Sequence, residues 1–251
     1  MTEPEVSFAH DAFISYSRKD KIFAARLERA LEEFKPPRDL PVPQRHLDIF
    51  RDEGDFTGTD YFQAIESHLG ASRKLIVVCS PASAGSPYVD DEIERFVKRR
   101  GAEHLIPVLL AGVPNNEAAA PEDLRRAFPP ALMKALVMPL AGDWRGVEPS
   151  KDRMDRGAFA SAWFKLLAEL YGVSRTLIEQ RELRRQARNR RITIGITGAV
   201  IVSLGTALAV SLVFRQQAVE SAQIAQQQRD VALKAADAER QAREAETKAL
   251  D

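Results

Sequence analysis

Two hydrophobic rhythms alternate along the first two thirds of the chain. Short apolar runs at Asp11–Ser17 (DAFISYS), His46–Phe50 (HLDIF), Leu75–Cys79 (LIVVC), Leu105–Leu110 (LIPVLL) and Val137–Leu140 (VMPL) predict five strands. Between them, apolar residues recur at helical spacing. The stripes are Phe23, Leu27, Leu31 and Phe34; Phe62, Ile65 and Leu69; Val89, Ile93, Phe96 and Val97; and Phe159, Trp163, Leu167 and Leu170. Leu124–Ala135 predicts a further helix, broken at Pro129-Pro130. Ser17 with Asp20, Thr59, and Ser86 with Pro87 are helix starts; Pro36-Pro37, Gly70 and Gly101 are stops. Strands alternating with helices predict a mostly parallel sheet covered on both faces. Pro107 places its strand near a sheet edge or a bulge.

One stretch carries the most chemistry. Lys74–Lys98 reads as a buried strand, a loop dense in small residues, and a helix. At 100° per residue, Asp91 points away from that helix's core stripe. Glu92 lies on the flank of the stripe, on the side of Tyr88 one turn earlier. A carboxylate there sits beside an aromatic ring, under the strand's C-terminal end, where open α/β sheets bind ligands. A flanking position also predicts that Glu92→Gln hardly changes fold stability.

The pattern changes after Gly172. Residues 173–191 predict an Arg-rich helix, with six arginines between Arg181 and Arg191. Ile192–Phe214 then runs for 23 residues without a charge. As a helix it measures about 35 Å, enough to cross a hydrocarbon core of about 30 Å. The arginines before it, against Arg215 and Arg229 after it, predict that the N-terminal domain is cytoplasmic and the tail outside. Residues 215–251 read as a helix, solvated singly or paired in a weak coiled coil. Ile224, Val231, Ala238 and Ala245 stand seven apart, with Ala235, Ala242 and Ala249 at the complementary positions.

Composition mainly removes alternatives. The formal net charge is zero, with no basic patch of the kind nucleic acid requires. Cys79 is the single cysteine, so no intrachain disulfide forms. His10, His46, His68 and His104 show no metal-ligand spacing, and no GxGxxG or Walker loop is present. The N-terminus lacks the basic and apolar regions of a cleavable signal.

Three stretches, in order, resemble the Toll/interleukin-1 receptor (TIR) domain family, bacterial type. DAFISYS is similar to its first strand, and RDEGDFTG (Arg51–Gly58) sits where the family has a loop after its second strand. SPASAGSPYVDDEIERF is similar to its serine-rich loop and following helix. The resemblance covers residues 9–172 and implies a flavodoxin-like fold. It places the family's recurrent residues on Ser80, Ser86, Tyr88 and Glu92, and implies Ser17, Arg18 and Phe56 as further pocket residues. Some TIR domains are scaffolds that signal by self-association. Others cleave NAD+ at the nicotinamide–ribose bond with the glutamate that matches Glu92.

The cleavage is chemically sound on one acid. Nicotinamide in NAD+ is already a cationic leaving group, and its departure leaves positive charge on the ribose. A single carboxylate can stabilise that charge. The expectation is therefore an NAD+ hydrolase or a TIR scaffold, anchored by a single span, in the bacterial inner membrane. NAD+ is its substrate, and no metal or bound cofactor is implied. Its partners are the lipid bilayer, further copies of itself and other TIR proteins.

Overall fold

A computed structural model describes residues 8–52, 59–115, 117–118 and 125–249. For residues 59–64 and 235–249 it describes the backbone alone. The strands are β1 (His10–Ser15), β2 (Ile49–Arg51), β3 (Ser72–Cys79), β4 (Leu105–Leu109) and β5 (Gly142–Asp143). They form one sheet in the order β2-β1-β3-β4-β5, parallel throughout. The helices are α1 (Lys21–Glu33), α2 (Thr59–Ala71), α3 (Pro81–Ala84), α4 (Pro87–Arg100), α5 (Pro130–Ala135), α6 (Ala160–Tyr171) and α7 (Arg175–Ala249).

Alternation along the strands divides the core. Ala12, Ile14, Ile76, Val78, Ile106 and Val108 face α1 and α6, where Leu27, Leu31, Trp163 and Leu167 are fully or almost fully buried. Phe13, Leu75, Val77, Cys79, Leu105 and Leu109 face α2, α4 and α5, against Ile65, Val89, Ile93, Phe96 and Leu132. Both faces are covered, as a parallel sheet requires. Ile178, in the first turn of α7, is fully buried in the first of these layers. The compact unit accordingly extends to Arg185.

Two expected elements differ. Val137–Leu140 is not a strand: Val137, Met138 and Leu140 are 96%, 72% and 75% exposed. Pro139 interrupts that run and has no donor for a ladder. The fifth strand instead follows at Gly142, and the Trp144 amide donates to the Leu109 carbonyl at 2.8 Å. Of the helix expected over Leu124–Ala135, Leu124 lies outside the described residues, Arg126–Pro129 are not helical, and α5 runs from Pro130, where proline suits the first turn, to Ala135. At Ser17 a 3-10 turn, Arg18–Asp20, precedes α1, and the Ser17 side chain makes no capping bond.

Residues 186–251 form a second unit. It continues α7 as unbroken helix to Ala249. Within Arg175–Lys234 this helix is long and apolar enough to cross a membrane, and none of its apolar window is buried. Side chains of the heptad alanines from Ala235 onward lie outside the described residues.

Candidate active site

Glu92 enters from α4. Ser86 caps that helix, its hydroxyl accepting from the Val89 amide at 3.5 Å, and Pro87 follows in the first turn. Val89, Ile93 and Phe96 seat the helix on the β3 side of the sheet. That seating carries Glu92 further in than a flanking position: the residue is buried, with 8% of its surface exposed. The expectation that its charge is nearly free for the fold is therefore corrected. Periodicity gave its direction around the helix, and packing of α4 against β1 set its depth.

Ser15, the last residue of β1, donates its hydroxyl to Glu92 Oε2 at 2.6 Å, and both are buried. Burial pushes the Glu92 carboxyl up to about 8, against the pull of the Ser15 hydrogen bond; the charges of Asp52 and Asp91 push the same way as burial. Asp91 itself lies outside this pocket and pairs with Arg95 at 2.7 Å.

Ser15 is a candidate site residue that the sequence pattern did not single out. Its signal is present: Asp11, Phe13 and Ser15 alternate onto one face of β1, and Phe13 packs in the α4 layer. A serine on that face, at the strand's end, is in line for a helix residue above the sheet.

The other expected site residues fall into separate groups. Ser80 is buried, and its hydroxyl is committed within the protein. It donates to Asp20 Oδ2 at 2.6 Å and accepts from the Ser83 amide at 3.1 Å. The Ser83 hydroxyl returns the bond by accepting from the Ser80 amide at 2.8 Å, closing a capping box around α3. Burial raises the Asp20 carboxyl while Ser80 holds it back. Tyr88, 61% exposed, stands one turn before Glu92 toward solvent. Arg18 is exposed and Ser17 half-buried on the loop after β1. Phe56 lies outside the described residues.

The end of β2 completes the neighbourhood. Arg51 is buried and ion-paired with Glu28 at 2.6 Å. Its guanidinium also reaches the Tyr16 hydroxyl at 3.3 Å, and that hydroxyl donates to the Asp52 carbonyl. The C-terminal ends of β1, β2 and β3 thus gather a buried carboxyl, a hydroxyl donor, a clamped cation and an exposed ring. A separate cavity lined by Leu105, Val108, Leu136, Met138, Trp144 and Lys165 opens at the β4 side, toward the other edge of the sheet. No group of three or more metal-ligating side chains occurs among the described residues.

Residues 12–136, which hold every candidate above, match the sequence model of the TIR domain. The chain is 31% identical over 212 residues to NAD(+) hydrolase ApTIR from Actinoplanes sp.. That alignment covers 80% of this chain and 29% of the relative, so this chain spans less than a third of the relative's length. Among solved structures it is similar to the TIR domain of the Toll-related receptor TRR-2 from Hydra magnipapillata. The TM-score is 0.37 and the identity 17%, over 64% of this chain and 98% of that one. It is also similar to the TIR domains of the activated Roq1 resistosome, which recognises the effector XopQ. There the TM-score is 0.30 and the identity 18%, over 69% and 80% of the two chains.

Proposed function

Residues 12–136 are a TIR domain, and from that premise we propose that the chain hydrolyses NAD+ at the nicotinamide–ribose bond with Glu92 as its catalytic carboxylate. The observation that carries this reading is the buried Glu92 carboxyl, held by Ser15 at the C-terminal edge of the sheet. The kinship with an NAD(+) hydrolase supports it.

The empty site keeps a proton on Glu92 at neutral pH, because burial favours the uncharged form. A pyridinium cation arriving beside it favours the carboxylate, and the displaced proton goes to solvent and returns when the products leave. The C1′–N bond then breaks, and its electron pair goes to the nicotinamide ring nitrogen, which becomes neutral. The positive charge left on the ribose faces the Glu92 carboxylate, which Ser15 holds in one orientation. Water adds at C1′ and loses a proton, giving nicotinamide, ADP-ribose and one proton. Tyr88, one turn away and exposed, offers a ring face to the departing base. NAD+ is a substrate here, and the chemistry needs no metal or resident cofactor.

The apolar stretch 192–214 serves as a single membrane span in this reading. The arginines before it keep the TIR domain on the cytoplasmic side, at the inner membrane of a bacterium, with the tail outside. Confinement to a bilayer raises the local concentration of TIR domains, so self-association through the domain and tail controls turnover. The deciding experiment measures nicotinamide release by the chain in nanodiscs and after forced clustering. Cleavage lost on Glu92→Gln supports the assignment. Absence of cleavage in every clustered form overturns it and leaves a scaffold that signals by TIR–TIR contact.

A further inference from the structure

β1 and β2 run parallel, with Ala12 opposite Ile49, Phe13 opposite Phe50 and Ile14 opposite Arg51. β2 ends at Arg51; continued by one residue, the same register brings Ser15 opposite Asp52. Side chains alternate along paired strands, so Asp52 falls on the face of Phe50, Phe13 and Ser15. That is the face under α4, where Ser15 donates to Glu92. Neighbouring strands lie about 4.8 Å apart, so the Asp52 side chain departs one strand spacing from Ser15.

The backbone at Asp52 is anchored. Tyr16 donates to its backbone carbonyl, and the preceding Arg51 is clamped by Glu28. Its charge reaches Glu92, where it is the largest of the charged influences and disfavours ionisation. Among the described residues near Glu92, Asp91 on α4 pairs with Arg95, Ser15 ends β1 and Tyr16 follows it, and Arg51 from β2 pairs with Glu28.

We propose that Asp52 is the second acid of this site, one strand from Ser15, facing the positive charge of the pyridinium nucleotide together with Glu92. The proposal rests on the NAD+ reading. A charged Asp52 adds to the burial that disfavours ionisation of Glu92. A cation between them reverses that opposition. Asp52 therefore reinforces burial in keeping the proton on Glu92 before substrate binds, and shares the substrate's charge once it has bound.

The test uses the full chain in nanodiscs and the near-isosteric Asp52→Asn, which retains the backbone carbonyl that Tyr16 grips. Glutamate 13C-carboxyl NMR follows the Glu92 titration, with Glu92→Gln identifying its signal. Asp52→Asn moves that midpoint to lower pH by about half a unit, and Asp52→Glu restores it. In turnover, Asp52→Asn raises KM for NAD+ about ten-fold with a smaller change in kcat, and Asp52→Glu recovers most of it. An unmoved Glu92 titration overturns the pairing. A moved titration with unchanged KM overturns the contact with substrate. If no form cleaves NAD+, the hydrolase reading fails, while the titration still decides whether the two acids are coupled.

Discussion

Glu92→Gln should make the folded domain more stable, by an amount that grows with pH. The substitution keeps the side chain's size, and Ser15 can still donate to the amide oxygen. In the folded protein the Glu92 carboxyl titrates at about 8, against 4.5 for an ordinary glutamate. A raised acid binds its proton more tightly when folded. Below the ordinary value both states are protonated, so its contribution to stability is fully present. As pH rises toward about 8 the unfolded chain ionises first and stability falls. Above about 8 both are ionised and the loss is complete. At about 1.4 kcal/mol per unit, the gap amounts to something on the order of 4–5 kcal/mol in wild type and nothing in Glu92→Gln. For a domain of this size about 1 kcal/mol moves Tm by roughly 2–4 °C, so the variant should melt on the order of 10 °C higher near pH 9. Near pH 5 the two should nearly coincide. Thermal melts of both proteins at the two pH values cancel every other titrating group. A Tm difference that is the same near pH 5 and near pH 9 would refute the buried, proton-holding Glu92.

The same substitution should lower NAD+ turnover of clustered protein by about 10²–10³-fold, as loss of a preorganised charge does. Asp91→Asn, which touches only the exposed Arg95, should keep turnover within about two-fold of wild type by the same nicotinamide-release assay. In wild type kcat/KM should climb as pH rises through about 8, the value for the free site. Ser15→Ala removes a hydrogen bond that favours the carboxylate, so a pH–rate profile should show this limb moved to more alkaline pH. Cutting the chain after residue 173 removes Ile178 from the core and should cost roughly 2–5 kcal/mol in urea unfolding relative to a cut after 185. Reporters fused at Met1 and Asp251 should be active on opposite sides of the membrane; a tail reporter active only in the cytoplasm would contradict the single span.

Much of this architecture was legible because the residues that form it are regular. The Leu75–Cys79 run, the Ser86-Pro87 start and the Val89, Ile93 and Phe96 stripe fixed a strand, a helix and the direction of Glu92. What periodicity lacks is depth. A helical wheel gives an angle, and only the approach of α4 to Phe13 and Ser15 turned a flank into an interior. Val137–Leu140 misled because an apolar run carries no information on whether a ladder partner is in reach; Pro139 was the local warning. Ser80 looked open because sequence does not show that Asp20 and Ser83 already engage its hydroxyl. Asp52 was invisible because its position depends on the register between two strands separated by a helix.

Pro107 has a consequence for the polar accounting at the edge of the sheet. In a parallel ladder successive residues address opposite neighbours. The Leu109 carbonyl faces β5, accepting from Trp144, so Pro107, two residues earlier, turns its backbone the same way. β5 begins at Gly142, opposite Val108, so Pro107 stands where that short ladder starts, and it is buried. The missing N–H therefore costs the β3–β4 ladder nothing, and it removes a buried donor just before β5 begins. Any other residue there would bury one more backbone N–H that must find an acceptor.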